Sequence, residues 1–177
     1  MRGLILLGVL VSLVGCATVA TPQSSRDLPM LSQADEGFYR GGQPSHAGLE
    51  QLSRMGIKTV VCLRQPSKAM DDERLQAEQL GMRWVNLPMW FWWRPSDRQV
   101  RQFLSIVSDP AQRPVFIHCR QGWNRAGVMT AIYRIVYQDW EPRRAYMEAR
   151  RFGLVPWNLF SRYLVLYQVP RTYKKES

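Results

Sequence analysis

Residues 114–127 read Pro114-Val115-Phe116-Ile117-His118-Cys119-Arg120-Gln121-Gly122-Trp123-Asn124-Arg125-Ala126-Gly127. The run up to His118 predicts a buried strand, and the strongly apolar stretch Gly127 to Tyr137 predicts a helix, so a short loop joins the two. Such a loop can turn its backbone N–H groups inward as an anion nest, facing the positive end of the helix dipole. A phosphate suits that environment. The same field favours a thiolate, which makes Cys119 a candidate nucleophile. Arg125 adds a planar guanidinium able to hold two phosphate oxygens, and Gly122 lets the backbone curl closely around the anion. His118 fits a supporting role, organising the loop through hydrogen bonds. The bland reading of Cys119 is a small buried residue at a strand end.

Working outward, strand and helix alternate. Phe38-Tyr39-Arg40 predicts a strand running into the turn Gly41-Gly42-Gln43-Pro44, after which Ser45 caps a helix ending before Gly56, with Leu49, Leu52 and Met55 inward. Ile57 to Leu63 is a β-branched run typical of a strand covered on both faces. An acidic helix follows, with Asp71 and Asp72 near its start, Leu75 and Leu80 as apolar contacts and Gly81 at its end. Met82 to Leu87 predicts the next strand. The segment 88–95, Pro-Met-Trp-Phe-Trp-Trp-Arg-Pro, is too aromatic for an ordinary solvated loop and is expected to form a flap. Its Trp90, Phe91, Trp92 and Trp93 suit three surroundings: an apolar part of a substrate, a membrane interface, or the protein's own core. Ser96 with Gln99 makes a capping box for a helix buried through Val100, Phe103, Leu104 and Val107. Two more helices are expected, near Pro142 to Phe152 and Asn158 to Gln168. This order predicts one α/β domain of three layers with a mainly parallel central sheet, whose ligand sites lie beyond the carboxyl ends of the strands.

The 177 residues suit one core. The amino terminus, Arg2 followed by the apolar run Leu4 to Val14, is too short to span a bilayer and reads as a targeting signal. It ends in Leu13-Val14-Gly15-Cys16, which resembles the bacterial lipoprotein lipobox and implies a lipidated Cys16. Residues 1–15 are then a signal peptide, 16–36 a lipid-anchored tether rich in Thr, Ser, Gln and Pro, and 37–177 the folded domain. Ala17, rather than Asp, in the second mature position implies the periplasmic face of the outer membrane of a bacterial envelope. Losing Arg2 with the signal lowers the formal charge only from +10 to +9. That excess favours acidic partners, yet the arginines are scattered rather than grouped among exposed aromatics, which argues against nucleic acid. Cys62 and Cys119 remain in a disulfide-permitting compartment without forming a disulfide framework. Cys62 suits either a redox pairing with Cys119 or, more commonly for a small thiol, core filler.

His118-Cys119, five residues and Arg125 resemble the signature loop of the cysteine-dependent protein tyrosine and dual-specificity phosphatases. The similarity extends to Tyr39-Arg40-Gly41-Gly42-Gln43-Pro44, Ile57 to Leu63, the helix from Ser96, and Tyr133-Arg134-Ile135-Val136, and points to the bacterial branch. It implies that Cys119 forms a cysteinyl-phosphate intermediate and that residues 119–125, namely Cys119, Arg120, Gln121, Gly122, Trp123, Asn124 and Arg125, bind phosphate. Water then hydrolyses the intermediate with no metal or other cofactor, the substrate being a phosphorylated protein or small phosphorylated molecule. Rhodanese-type sulfurtransferases also place a cysteine after a strand, in a shorter loop. Two positions depart from the family. Its flap aspartate falls near Trp92, leaving Asp97 as the nearest candidate general acid, although Asp97 equally suits a first helical turn. Ala126 stands where a Ser or Thr hydroxyl commonly assists phosphate release, which keeps a phosphate-binding pseudophosphatase in view. Gly122-Trp123-Asn124-Arg125 is also similar to the Gly-Trp-Asp-Arg of myotubularin lipid phosphatases, which keeps phosphoinositide-like substrates in view.

Overall fold

The structure is a computed structural model that describes residues 24–156. Five strands form one sheet: β1 (Ser32–Asp35), β2 (Phe38–Gly41), β3 (Thr59–Cys62), β4 (Arg83–Asn86) and β5 (Val115–His118). Their spatial order is β1-β2-β5-β3-β4. All neighbouring pairs are parallel except β1 with β2, as the mainly parallel expectation requires. Strand β5 lies centrally, so its carboxyl end is flanked by the ends of β2 and β3.

Side-chain alternation along the strands makes the three layers. Val60 and Phe116 turn to one face and pack with Leu49 and Leu52 of α1 (His46–Arg54) and Ala77 of α2 (Lys68–Gln79). Val61, Val115 and Ile117 turn to the other, meeting α3 (Asp97–Ser108), α4 (Asn124–Tyr137) and α5 (Pro142–Arg151). Phe103 is fully buried there. Burial of such a side chain contributes about 2 kcal/mol. The capping box is present: the Ser96 hydroxyl accepts from Gln99 N, and the Gln99 side chain accepts from Ser96 N at 2.7 Å.

The structure differs from the sequence expectations in several places. Ser32–Asp35 joins the sheet although it lies inside the expected tether of 16–36, and Leu28 is already buried. This polar edge strand is held by backbone pairing and by Tyr133, whose hydroxyl donates to Asp35, so no apolar pattern announces it. Met55 caps the end of α1 and is exposed. Leu75 is also exposed; the buried stripe of α2 is Met70, Glu73 and Ala77. Helix α4 begins at Asn124, three residues before the expected Gly127, which puts Arg125 in its first turn. The expected helix Asn158 to Gln168 and the signal and lipidation region around Cys16 lie outside the described residues.

Candidate active site

The loop between β5 and α4 forms one wall of a cavity of about 250 Å³ lined by Phe91, Cys119, Arg120, Gln121, Asn124 and Arg125. The two side chains on which the sequence reading turned therefore share one pocket. Cys119 is 3% exposed and sits at the carboxyl end of the central strand. Arg125 Nη1 donates to the carbonyls of Leu63 at 3.2 Å and Met89 at 3.3 Å, which follow β3 and β4. These bonds fix one end of the guanidinium, leaving Nη2 and Nε as its remaining donors.

The other loop residues divide by function. Arg120 and Gln121 are exposed on the pocket rim. Gly122 is buried with φ +78, a conformation that glycine adopts without a Cβ penalty. The Trp123 ring packs on Gly153, where a Cβ would come within 3.0 Å of it. Asn124 Oδ1 accepts from the Val155 N–H at 3.0 Å, so this side chain ties the chain after α5 to the pocket as well as lining it.

His118 points away from the pocket, toward α2. It is fully buried, with Nε2 2.9 Å from Glu73 Oε1. Glu73 also accepts from Trp84 Nε1 at 2.7 Å and from the Gln43 amide, whose own oxygen accepts from Arg64 at 2.8 Å. Burial opposes ionisation of Glu73, but His118 and these hydrogen bonds outweigh it and hold the carboxyl below its ordinary value. For His118, burial opposes the imidazolium, while Cys62 and Glu73 hold its pKa well above the ordinary value. Sequence reading missed Glu73. Its signal was the spacing Met70, Glu73, Ala77, one acid on an otherwise apolar helical stripe.

The signs of the two shifts define a pH window. A lowered Glu73 contributes stability above its ordinary value of 4.5 and loses it as pH falls through the folded value. A raised His118 contributes fully below its ordinary value of 6.5 and loses it as pH rises through the folded value. Urea denaturation should therefore show the stability gap between wild type and Glu73→Gln widest between these two values and narrower on either side. A gap independent of pH would contradict the charged pair.

Cys62 lies on the α2 face, with its Sγ 3.2 Å from Met70 Sδ, whereas Cys119 belongs to the cluster on the other face of the sheet. That separation works against the redox pairing. The donor atoms of Cys62, Glu73 and His118 lie within 4.8 Å of one another, a compact set of mixed hardness, but the contacts they make here are hydrogen bonds.

In the flap, Met89 is buried and Phe91 reaches the pocket, set edge-on to Trp92 with ring centres 4.6 Å apart. Trp90, Trp92 and Trp93 are each more than 60% exposed (65%, 63% and 64%), so these three do not pack as a lid on the core. Asp97 is the exposed first residue of α3 and is outside the pocket lining, in which no carboxylate occurs among the described residues. Ala126 is buried, and the nearby Thr130 hydroxyl is committed to its carbonyl at 2.8 Å.

Comparison with known proteins places this geometry. The chain is 35% identical over 117 residues to the dual specificity protein phosphatase TpbA of Pseudomonas aeruginosa (strain UCBPP-PA14), a match covering 66% of this chain and 51% of that protein. It is 37% identical over 113 residues to the Oryza sativa protein named "Probable NAD kinase 2, chloroplastic", covering 61% of this chain and 11% of that one. The chain thus spans about half of TpbA and a small part of the plant protein. Among solved structures, a cysteine-to-serine variant of P. aeruginosa TpbA in complex with pTyr superposes with a TM-score of 0.72 at 25% identity, covering 91% of this chain and 99% of that one. The core catalytic domain of the Saccharomyces cerevisiae PP-IP phosphatase SIW14 shares the fold, with a TM-score of 0.68 at 22% identity, covering 77% of this chain and 84% of that one. The family model of a DSP-PTPase phosphatase fused to NAD+ kinase matches residues 13–153, most of the sequence and nearly all of the described fold, and this chain belongs to that phosphatase family.

Proposed function

We propose that the chain hydrolyses phosphate monoesters through a cysteinyl-phosphate intermediate, with phosphotyrosine or another phosphorylated protein side chain as substrate. The observation that carries this is the shared pocket of Cys119 and Arg125 between a central strand end and a helix start. In the first step the Cys119 thiolate attacks phosphorus, the P–O bond breaks, and the leaving oxygen takes the electron pair and a proton. In the second, water attacks phosphorus, the P–S bond breaks, and inorganic phosphate leaves with the thiolate restored. Arg125 and the loop N–H groups meet the charge on the equatorial oxygens in both steps. No step calls for a metal.

The proton for the leaving oxygen is the incomplete part. A positioned acid contributes about 10²–10⁴-fold, and among the described residues the pocket lining offers no carboxylate, so Asp97 would have to approach with the flap segment to serve. This favours leaving groups that depart as weak bases. Nitrophenolate and tyrosine phenolate qualify better than serine or threonine alkoxides, and so does the inner phosphate of a diphosphate when the terminal phosphoryl group is the one transferred. A second reading follows, because relatives include the rice inositol diphosphatase DSP1 at 32% identity over 129 residues: a phosphorylated inositol substrate. Ala126 and the acid-free pocket keep the phosphate-binding pseudophosphatase as the outcome in which turnover fails.

The deciding assay uses the full chain in excess EDTA against p-nitrophenyl phosphate, a phosphotyrosine peptide, a phosphoserine peptide and a diphosphoinositol phosphate. Phosphate release should fall steeply from the first to the phosphoserine peptide. Oxyanion binding without release from any of the four would establish the pseudophosphatase instead.

Placement at the cell envelope through a lipidated Cys16 is part of the same proposal. It is supported by the lipobox-like Leu13 to Cys16. Cys16→Ala should move the protein from the membrane to the soluble fraction; an unchanged distribution would exclude the anchor.

A further inference from the structure

Strand β2 runs out through Arg40-Gly41-Gly42-Gln43 directly beside the loop that follows β5. Arg40 is among the largest fully buried side chains, 1% exposed, and it is not among the residues lining the pocket. Its Nη2 donates to the carbonyl of Gly122 at 2.5 Å, and its guanidinium carbon lies 4.3 Å from the centre of the Phe152 ring. Its Nε and Nη1 have no hydrogen-bond partner among the described residues. The neighbouring carboxylate, Glu148, is already held by Arg134 through two bonds of 2.8 and 3.1 Å. Burial lowers the pKa of Arg40 to about 10, with Glu148 and Cys119 opposing the fall. A buried guanidinium with two idle donors and no hydrogen-bonded carboxylate is costly to keep. The fold keeps it directly behind the anion loop.

Peptide planarity turns these contacts into a mechanism. In a trans peptide the C=O and the following N–H point in opposite directions. The Gly122 carbonyl is drawn outward to Arg40, so the N–H of Trp123 faces into the loop. The Arg120 carbonyl is drawn outward by the Gln43 N–H at 3.2 Å, so the N–H of Gln121 faces inward as well. The contact is close: a Cβ on Gly122 would come within 2.8 Å of Gly41 C and Gly42 N. The end of β2 therefore acts as a template that sets which way two loop peptides point.

We propose that Arg40 is a positioning residue for the anion site: it holds the Gly122 carbonyl outside the loop, aims the Trp123 N–H at a bound tetrahedral oxyanion, and sets a positive charge behind it. This rests on the reading of residues 119–125 as a phosphate loop. Arg40 touches no substrate atom, and it acts through the loop backbone.

Calorimetric binding of tungstate, a tetrahedral dianion, tests the role without requiring turnover. The full-length wild type, Arg40→Met and Arg40→Lys would be compared, with thermal unfolding recorded for each. Arg40→Met matches much of the stem and removes both donor and charge, so affinity should fall roughly 10–100-fold. Arg40→Lys keeps the charge and one flexible donor, so it should recover part of the loss. A merely structural arginine would lower the melting temperature in both variants and leave tungstate affinity alone. Wild-type affinity in a cooperatively folded Arg40→Met overturns the proposal. Should Arg40→Met fail to fold, Arg40→Lys decides: a loss of about threefold or more supports the role, and wild-type affinity overturns it. A wild type that binds no tungstate defeats the phosphate-loop reading itself, and the role of Arg40 falls with it, an outcome distinct from a binding wild type with indifferent variants.

Discussion

Phosphate release by Cys119→Ser is expected to fall by roughly 10⁴-fold or more while tungstate still binds. The reason is a division of labour inside the loop. On the proposed mechanism the donors to the anion are backbone N–H groups and Arg125, which lines the pocket, and none of them is altered by exchanging sulfur for oxygen. The attacking atom is altered completely, because a serine hydroxyl in the same place stays protonated near neutral pH and the described residues lining the pocket include no base. His118 cannot take that part: it points to the opposite face of the sheet and is bound to Glu73. Cys62 cannot substitute either, since it is buried against Met70 and is absent from the pocket lining. Cys62→Ser should accordingly retain turnover, which separates the two thiols in one experiment. Turnover of Cys119→Ser within tenfold of wild type would end the cysteinyl-phosphate route, and loss of tungstate binding would show that sulfur helps to shape the cradle.

The parts of this site that could be read in advance are those encoded within a few residues. Cys119 and Arg125 are six apart on one strand, loop and helix, so local geometry alone brings them together, and the structure seats both in one cavity. The parts that escaped are long-range. Glu73 meets His118 across 45 residues, and Arg40 meets Gly122 across 82. Apolar patterning chose Leu75 and Leu80 as the contacts of α2; Leu80 does pack on the core, but Leu75 is exposed, and the face that meets β3 and β4 carries Met70, Glu73 and Ala77, because His118, Trp84 and Gln43 satisfy a buried carboxylate there. A hydrophobic pattern does not register a polar residue whose partners come from three other elements.

Strand β1 was illegible for a related reason. Ser32-Gln33-Ala34-Asp35 has no apolar face to announce a strand, and its register comes from pairing with β2. In the flap, the aromatic run marks the segment as unusual, but nothing local says that Phe91 alone among the four aromatics would line the pocket. The three exposed tryptophans stand outside that lining.

Arg125 carries the second large effect, and its two substitutions separate charge from shape. Arg125→Met should lower kcat/KM by roughly 10³–10⁵-fold, the range found when an arginine that meets transition-state charge on a phosphoryl group is absent. Arg125→Lys restores the charge and should still lose roughly 10²–10³-fold, comparable to removing a fixed transition-state donor. The difference arises from the anchoring. Because Nη1 is held by the carbonyls of Leu63 and Met89, the guanidinium plane is set before substrate arrives, and the donors left over form a fixed fork. A lysine ammonium is a single point of charge on a flexible stem. If it kept the carbonyl contacts it would have little left for phosphate, and if it turned to phosphate those two carbonyls would lose their partner. Steady-state kinetics on p-nitrophenyl phosphate measures both variants. An Arg125→Lys enzyme within threefold of wild type would mean that charge alone suffices, and the two backbone anchors would then have no catalytic meaning.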